Sequence, residues 1–428
     1  MKFELREEQR PYRVLVSAFA CGPNWGSEVG MGWNWVIHMA AHHELWVITE
    51  EAFRPDIEAK VDQLQLRYPP RFHYISIGEK GRKLFWKQGS LQFYGHYRRW
   101  QKKAFVLAEQ LRLKNSIELV HQLNLIGFRE PGYLWQLSDR VPVIWGPVGG
   151  YSQVPMQFIP KLSWKNRIFY FGKNLLHYAQ VHYSTRVKKA ISHCSLILAE
   201  SSNTKRIMRE VYGVDAALMN ETGGHYDEFF AHPSFLENGR MNLLWVGRIQ
   251  GLKALPIAIE SVFRLKQQKI PVHMNVVGEG PDTDDCKNLV RSLGLESEIT
   301  FVGKIPNPRV IELMKVHDLL FFTSLKEGTP HVVLEALSNG LPVICHDACG
   351  HGDIVDSSCG IKVPLESYGK SVALFTENIA DLFRNRHRFE EFTEGARECV
   401  KKHSWHHKAE LMSDLYSKVL KVEETTLA

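Results

Sequence analysis

No run of eighteen or more apolar residues occurs anywhere in the 428-residue chain, so no membrane-spanning helix is expected. The opening segment MKFELREEQRPYRVLV is charged where a secretory leader would be apolar, and export is not expected either. Cysteine is scarce. Seven residues, an odd number scattered without a CxxC pair, speak against a disulfide framework and fit reduced thiols in a cytoplasmic protein. The patterns HExxH, GxxxxGK and GxSxG are missing, which leaves zinc protease, P-loop and elbow-type hydrolase readings without their signatures. Acid is locally missing too. Residues 140–199 hold eight Lys/Arg and no Asp or Glu, and residues 80–114 hold ten against the single Glu109. The basic charge of a chain with net charge +6 therefore lies in its first half, interleaved with Phe85, Trp86, Phe93, Tyr94, Tyr97, Trp100 and Phe105. Such a distribution describes a surface and its partner, not a fold.

What is present is ordinary globular composition, 44% hydrophobic and 23% charged, in a chain too long for one core. Apolar strands alternating with helical periodicity predict an α/β protein of two doubly wound domains. The first series begins at Tyr12–Phe19 and continues through strands near 45–49, 72–77, 117–121, 141–145, 195–199 and 216–219. After a polar linker from Asn220 to Arg240, a second series has strands at 243–246, 273–277, 299–302, 319–322 and 342–345. Domains 1–222 and 223–403 are expected, with 404–428 a helix returning to the first.

The chain is organised around FTSLKEGTPHVVLEALSNGLPVI at 322–344. Thr329 reads as an N-cap, Pro330 as the first helical residue and Gly340 as the stop. Glu327 then falls in a loop at a strand's carboxyl end, with Glu335 about two turns along the next helix. Ligands bind at that edge of open α/β sheets, and a helix N-terminus there suits a phosphate. Trp245-Val-Gly-Arg-Ile-Gln-Gly-Leu-Lys253 sets Arg248 and Lys253 just past another strand end, where two cations can neutralise a diphosphate. The glycine-rich run Cys21–Gly32, following the first strand, lets backbone approach a phosphate or sugar, although its spacing is not GxGxxG. Val277-Gly-Glu-Gly-Pro281 reads as a strand-end turn. Asp282-Thr-Asp284 spells the acidic metal motif of another transferase class, but acids after a proline at a helix start are expected on dipole grounds alone.

Taken together, VGRIQGLKAL, VVGEGP and the run from Val302 to Val355 resemble the donor domain of family-4 retaining glycosyltransferases, with the strongest signal over 240–365. GSEVGMGWNW, ELVHQLNLIGFREPGYLW and IWGPVGG are similar to a bacterial surface-polysaccharide branch. The resemblance implies a GT-B fold, two Rossmann-like domains facing across a cleft. It implies that Arg248 and Lys253 hold the donor diphosphate, that Glu335 takes the ribose hydroxyls, and that Glu327 with the backbone at Gly328, Thr329, Pro330 and His331 meets the transferred sugar. Ile305 matches a position whose backbone meets the base, Gly247 lies in the donor loop, Gly26 faces sugar or acceptor, and His121 falls where a histidine often neighbours the donor sugar. The loop ETGGHYD after Asn220 departs from the family's shorter turn.

The expected activity is metal-independent transfer, with no cofactor, from a UDP-sugar before a GDP-sugar to a glycan or lipid-linked acceptor. Alternatives are a GT-B epimerase or phosphorylase, or a basic membrane-bound scaffold. The basic aromatic segments 82–105 and 161–189 suggest an anionic membrane surface; nucleic acid would leave the donor motifs without a role.

Overall fold

The computed structural model describes residues 10–85, 90–125, 127–161, 164–225, 239–328 and 330–427. Its strands are β1 (Arg13–Ala18), β2 (Glu44–Glu50), β3 (Arg71–Ile75), β4 (Leu119–Asn124), β5 (Val143–Val148), β6 (Leu196–Ala199), β7 (Ala217–Leu218), β8 (Met241–Val246), β9 (Val272–Val277), β10 (Ile299–Gly303), β11 (Leu319–Phe322), β12 (Val343–His346) and β13 (Gly360–Val363). They form two parallel sheets, ordered β3-β2-β1-β4-β5-β6-β7 and β10-β9-β8-β11-β12-β13. Strands such as LLFF at β11 are buried on both faces, as sheets covered by helices on both sides require. Strand order reverses between β1 and β4 in one sheet and between β8 and β11 in the other. Those two switch points are where an open α/β sheet leaves room for a ligand at its carboxyl edge.

The sixth strand of the second sheet, β13, is absent from the sequence reading. It is an edge strand of four residues opened by Gly360, with Lys362 pointing outward, so it lacks the apolar run that marks its neighbours. The helix after β11 runs from His331 to Ser338, with Pro330 extended just before it (φ −73°, ψ 117°). Glu335 therefore sits one turn in, not two. Thr329, expected as the cap, lies outside the described residues. Gly340 has φ +64° and stops the helix as expected.

The last helix, Trp405–Leu427, crosses back to the first sheet. Its Trp405, Met412 and Tyr416 are buried in the same core as β1, β2 and β4. Each buried aromatic contributes about 1.5–3 kcal/mol.

The two basic aromatic segments go to different places. In helix Leu91–Asn115, Phe93, Tyr97, Trp100, Ala104, Ala108 and Leu111 recur at helical spacing and are buried in the first core. Helix Trp164–Tyr183 is the reverse: Ile168, Phe169, Phe171, Leu175, Leu176 and Tyr178 are 48–67% exposed. The aromatics of 82–105 are thus core residues, with Trp86 outside the described range. Among the described residues no helix is long and apolar enough to cross a membrane.

Candidate functional site

The second switch point assembles the site. Leu319 and Leu320 of β11 lie opposite Leu243 and Leu244 of β8, so the chain leaves both strands side by side. Past β8 it makes a short 3-10 turn, Gly251–Lys253, and Ala254 (φ +48°) redirects it into helix Leu255–Gln267. Past β11 come Thr323 and Ser324, which bolt the two exits together. The Thr323 hydroxyl donates to the Lys253 carbonyl at 2.8 Å and accepts from Trp245 Nε1 at 3.0 Å. The Ser324 hydroxyl donates to Glu327 Oε1 at 2.6 Å. Held this way, Lys253 Nζ and Glu327 Oε1 form an ion pair, the two side chains 18% and 20% exposed.

This pair lines a cavity of about 320 Å³ with Gly247, Gly328, Pro330 and His331, closed from the other side by Glu28, Met31 and Glu221. A side chain on Gly328 would begin 2.6 Å from Glu221 Oε1, so that carboxylate would have to move to admit one. The three carboxylates can accept hydrogen bonds from several sugar hydroxyls, while the one lysine sets a positive charge against an anion. His331 opens the helix, and its Nδ1 is hydrogen-bonded to the Thr222 hydroxyl at 3.0 Å. Burial holds its pKa below the ordinary value.

His331 also lines a second cavity, of about 640 Å³, with Gly26, Thr222, His225 and Glu335. Asn307 Nδ2 donates to Glu335 Oε1 at 3.0 Å, and burial raises the carboxyl's pKa despite that bond. Gly26 is the residue before helix Ser27–Met39, and the space where its side chain would stand is empty.

Three expected residues stand apart from these cavities. Arg248 is exposed and lines a separate hollow of about 580 Å³ beside Gly278–Gly280 and Gly303. The structure therefore does not bring Arg248 and Lys253 to one cavity. Ile305 is half-buried against the core cluster that holds Val310 and Leu334. His121 lies in the sheet rather than at a cavity wall. It is 1% exposed, its Nε2–H donates to the Gly146 carbonyl at 2.7 Å, and its Nδ1 accepts from the Tyr416 hydroxyl at 2.8 Å. Burial pulls its pKa down to about 4, so the ring is neutral and ties the returning helix to β4 and β5.

Glu28 and Glu221 were not anticipated. Both sit in stretches noticed for other reasons, the glycine-rich run GSEVG and the departing loop ETGGHYD, and an acid inside a glycine-rich loop was the available signal. Trp35 Nε1 donates to the Glu221 carbonyl at 2.7 Å, which fixes that loop against the glycine-run helix.

A two-sheet α/β architecture with sites at facing switch points defines a GT-B protein. Residues 228–399 match the family model described as glycosyl transferases group 1, and the two-sheet architecture is the GT-B fold of the solved glycosyltransferase structures it resembles. Over 248 residues it is 24% identical to the D-inositol 3-phosphate glycosyltransferase of Rhodococcus erythropolis, covering 54% of this chain and 55% of that one. The chain spans about half the length of the curated relatives it matches. Among solved structures it resembles Anabaena HepE in complex with UDP and glucose (TM-score 0.59, 15% identity, 95% of this chain and 100% of that one). It also resembles the lipopolysaccharide outer core galactosyltransferase WaaB (TM-score 0.58, 16% identity, 95% and 99%).

Proposed function

We propose that the chain transfers a sugar from a nucleotide diphosphate sugar, UDP before GDP, to a glycan or lipid-linked acceptor in polysaccharide biosynthesis, with retention of anomeric configuration and without a metal. The observation that carries this reading is the Lys253–Glu327 pair beside the N-terminus of helix His331–Ser338, at the switch point of a group 1 glycosyl transferase domain. Charge builds on the departing diphosphate as the glycosidic bond breaks. Lys253 and the free N–H groups of that helix supply fixed positive potential where it builds, which is the kind of preorganised stabilisation that lowers such a barrier most. Glu327 and Glu28 are then positioned to accept hydrogen bonds from the transferred sugar, and Glu335 from the ribose. Glu327 is already spoken for by Lys253 and Ser324. We therefore assign it recognition and not nucleophilic attack, and the acceptor hydroxyl attacks from the face the leaving phosphate vacates. The anomeric configuration of the product tests this directly: a retained product is expected, and an inverted one overturns it. Activity unchanged by a chelator is the expected outcome for a metal-free reaction.

The exposed face of helix Trp164–Tyr183 supports attachment at the inner face of a membrane. Its Phe, Tyr and Leu side chains stand beside a segment with eight Lys/Arg and no acid, a composition that binds anionic interfaces.

A further inference from the structure

Three cations collect at the cleft next to the transfer site, and none belongs to the donor cavity. Arg129 leaves the first sheet after β4, at that sheet's own switch point. It is half-buried and held by neutral groups alone: Nε donates to Gln180 Oε1 at 2.6 Å and Nη2 to His177 Nδ1 at 2.7 Å. His177 Nε2–H is committed to the Tyr151 carbonyl at 2.8 Å, and its pKa is pulled down to about 4, so it adds no charge and takes none away. The loop at 149–154 is clamped beneath the same helix, because Asn174 Nδ2 donates to the Val154 carbonyl at 2.9 Å and its Oδ1 accepts from Val154 N at 3.2 Å. Arg129 Nη1 is directed over that loop, 3.8 Å from where a side chain on Gly150 would begin.

Lys173 projects from the clamping helix, one residue before Asn174. Lys326 comes from the opposite domain, immediately before Glu327. The walls meet there, with Cys349 Sγ 3.8 Å from Ser152 Oγ and Ser202 N donating to Asp353 Oδ2 at 2.7 Å. None of the three cations is ion-paired with an acid among the described residues. Glu200, the buried acid facing them, is pushed up to about 7 by its burial and neutralises them only in part. Burial, then the charges of Lys173 and Arg129, bring Lys326 down to about 8. Like charges gathered from two domains and only partly offset by a counter-charge are costly unless an anion joins them.

We propose that the acceptor carries a phosphoryl or carboxylate group, and that Arg129, Lys173 and Lys326 bind it beside Glu327. The proposal rests on the glycosyl-transfer reading and adds the chemical class of the acceptor. It also accounts for Lys173 and His177 sharing a helix with the exposed apolar face: a lipid held there would present a linking phosphate to the three cations.

The test titrates the full chain with glycerol 3-phosphate in one arm and methyl glucuronide in the other, each with and without saturating UDP. Wild type is compared with Lys326→Met and Arg129→Gln, and what is read is the part of the binding that the substitutions remove. Loss of one charged hydrogen-bond partner should weaken binding about tenfold or more, and raised salt should weaken wild type further. Binding of glycerol 3-phosphate alone assigns a phosphorylated acceptor, and of the glucuronide alone an acidic sugar. Binding that is equal in wild type and both variants, or no binding in either arm, overturns the proposal. If UDP itself does not bind, the donor reading falls separately, and the anion arms without UDP still decide this one.

Discussion

The two walls of the cleft are built from the same kind of sheet and end in opposite electrostatic states. On the donor wall, Lys253 faces Glu327, and Asn307 satisfies one oxygen of Glu335. On the facing wall, Arg129 and Lys173 have no acid partner among the described residues, and helix Trp164–Tyr183 leaves seven large apolar side chains exposed among its described residues. The difference indicates how each wall meets its ligand. In the proposed reaction a paired, mostly buried lysine exchanges its carboxylate for an incoming phosphate, so its charge is spent at one place. Unpaired cations beside an apolar face attract from a distance and tolerate partners of several shapes.

The largest effect should come from the donor wall. Lys253→Ala removes the one lysine of the 320 Å³ cavity, and kcat should fall by about 10²–10³ in a donor-turnover assay. A variant that keeps near-wild-type kcat would remove the leaving-group role. Next comes the facing wall. Phe169→Ser with Phe171→Ser should reduce binding to anionic vesicles about tenfold or more, while stability in denaturant stays within about 0.5 kcal/mol of wild type, since both side chains are exposed. Vesicle binding that ignores both the substitutions and the anionic lipid would return that face to plain solvent exposure.

His121 tests how the returning helix holds the first wall. Its ring titrates near 6.5 when unfolded and about 4 when folded. The unfolded chain therefore binds more protons between those values, and stability is lost as pH falls from 6.5 toward 4. The loss is on the order of 1–3 kcal/mol. Thermal unfolding of His121→Asn should show a shallower fall across that window than wild type. An unchanged slope would mean that the His121–Tyr416 link does not carry it. The smallest effect belongs to Arg248→Ala. Being exposed and in a separate hollow, it should cost less than about tenfold in kcat/KM. A loss as large as that of Lys253→Ala would show that the two cations act on one diphosphate after all.

Much of the donor wall was legible because local signals agree there. Apolar runs mark strands, Gly340 marks the end of a helix, and Lys253 and Glu327 each follow a strand end at fixed spacing, so topology alone makes them neighbours. What pairs with what was not legible. Arg248 and Lys253 are five residues apart, but the turn Gly251–Lys253 and the left-handed Ala254 aim them at different hollows. The two basic aromatic segments show the same limit. Trp100 and Phe171 sit in stretches of like composition, yet one is core and the other surface, because burial depends on which helix the sheet has room to cover. Glu28 and Glu221 reach the cavity only through the meeting of the two domains, which no local pattern encodes.

Whether the Lys253–Glu327 cavity holds a nucleotide sugar is tested most directly by a thermal-shift panel of UDP- and GDP-sugars on the full chain. One donor should raise the unfolding temperature of wild type, because a ligand that binds only the folded chain stabilises it. The rise should vanish in Lys253→Ala and stay absent in Lys253→Ala with Glu327→Gln, where the carboxylate that Lys253 had faced is removed as well. No shift with any donor, or a shift that survives both substitutions, would contradict donor binding there.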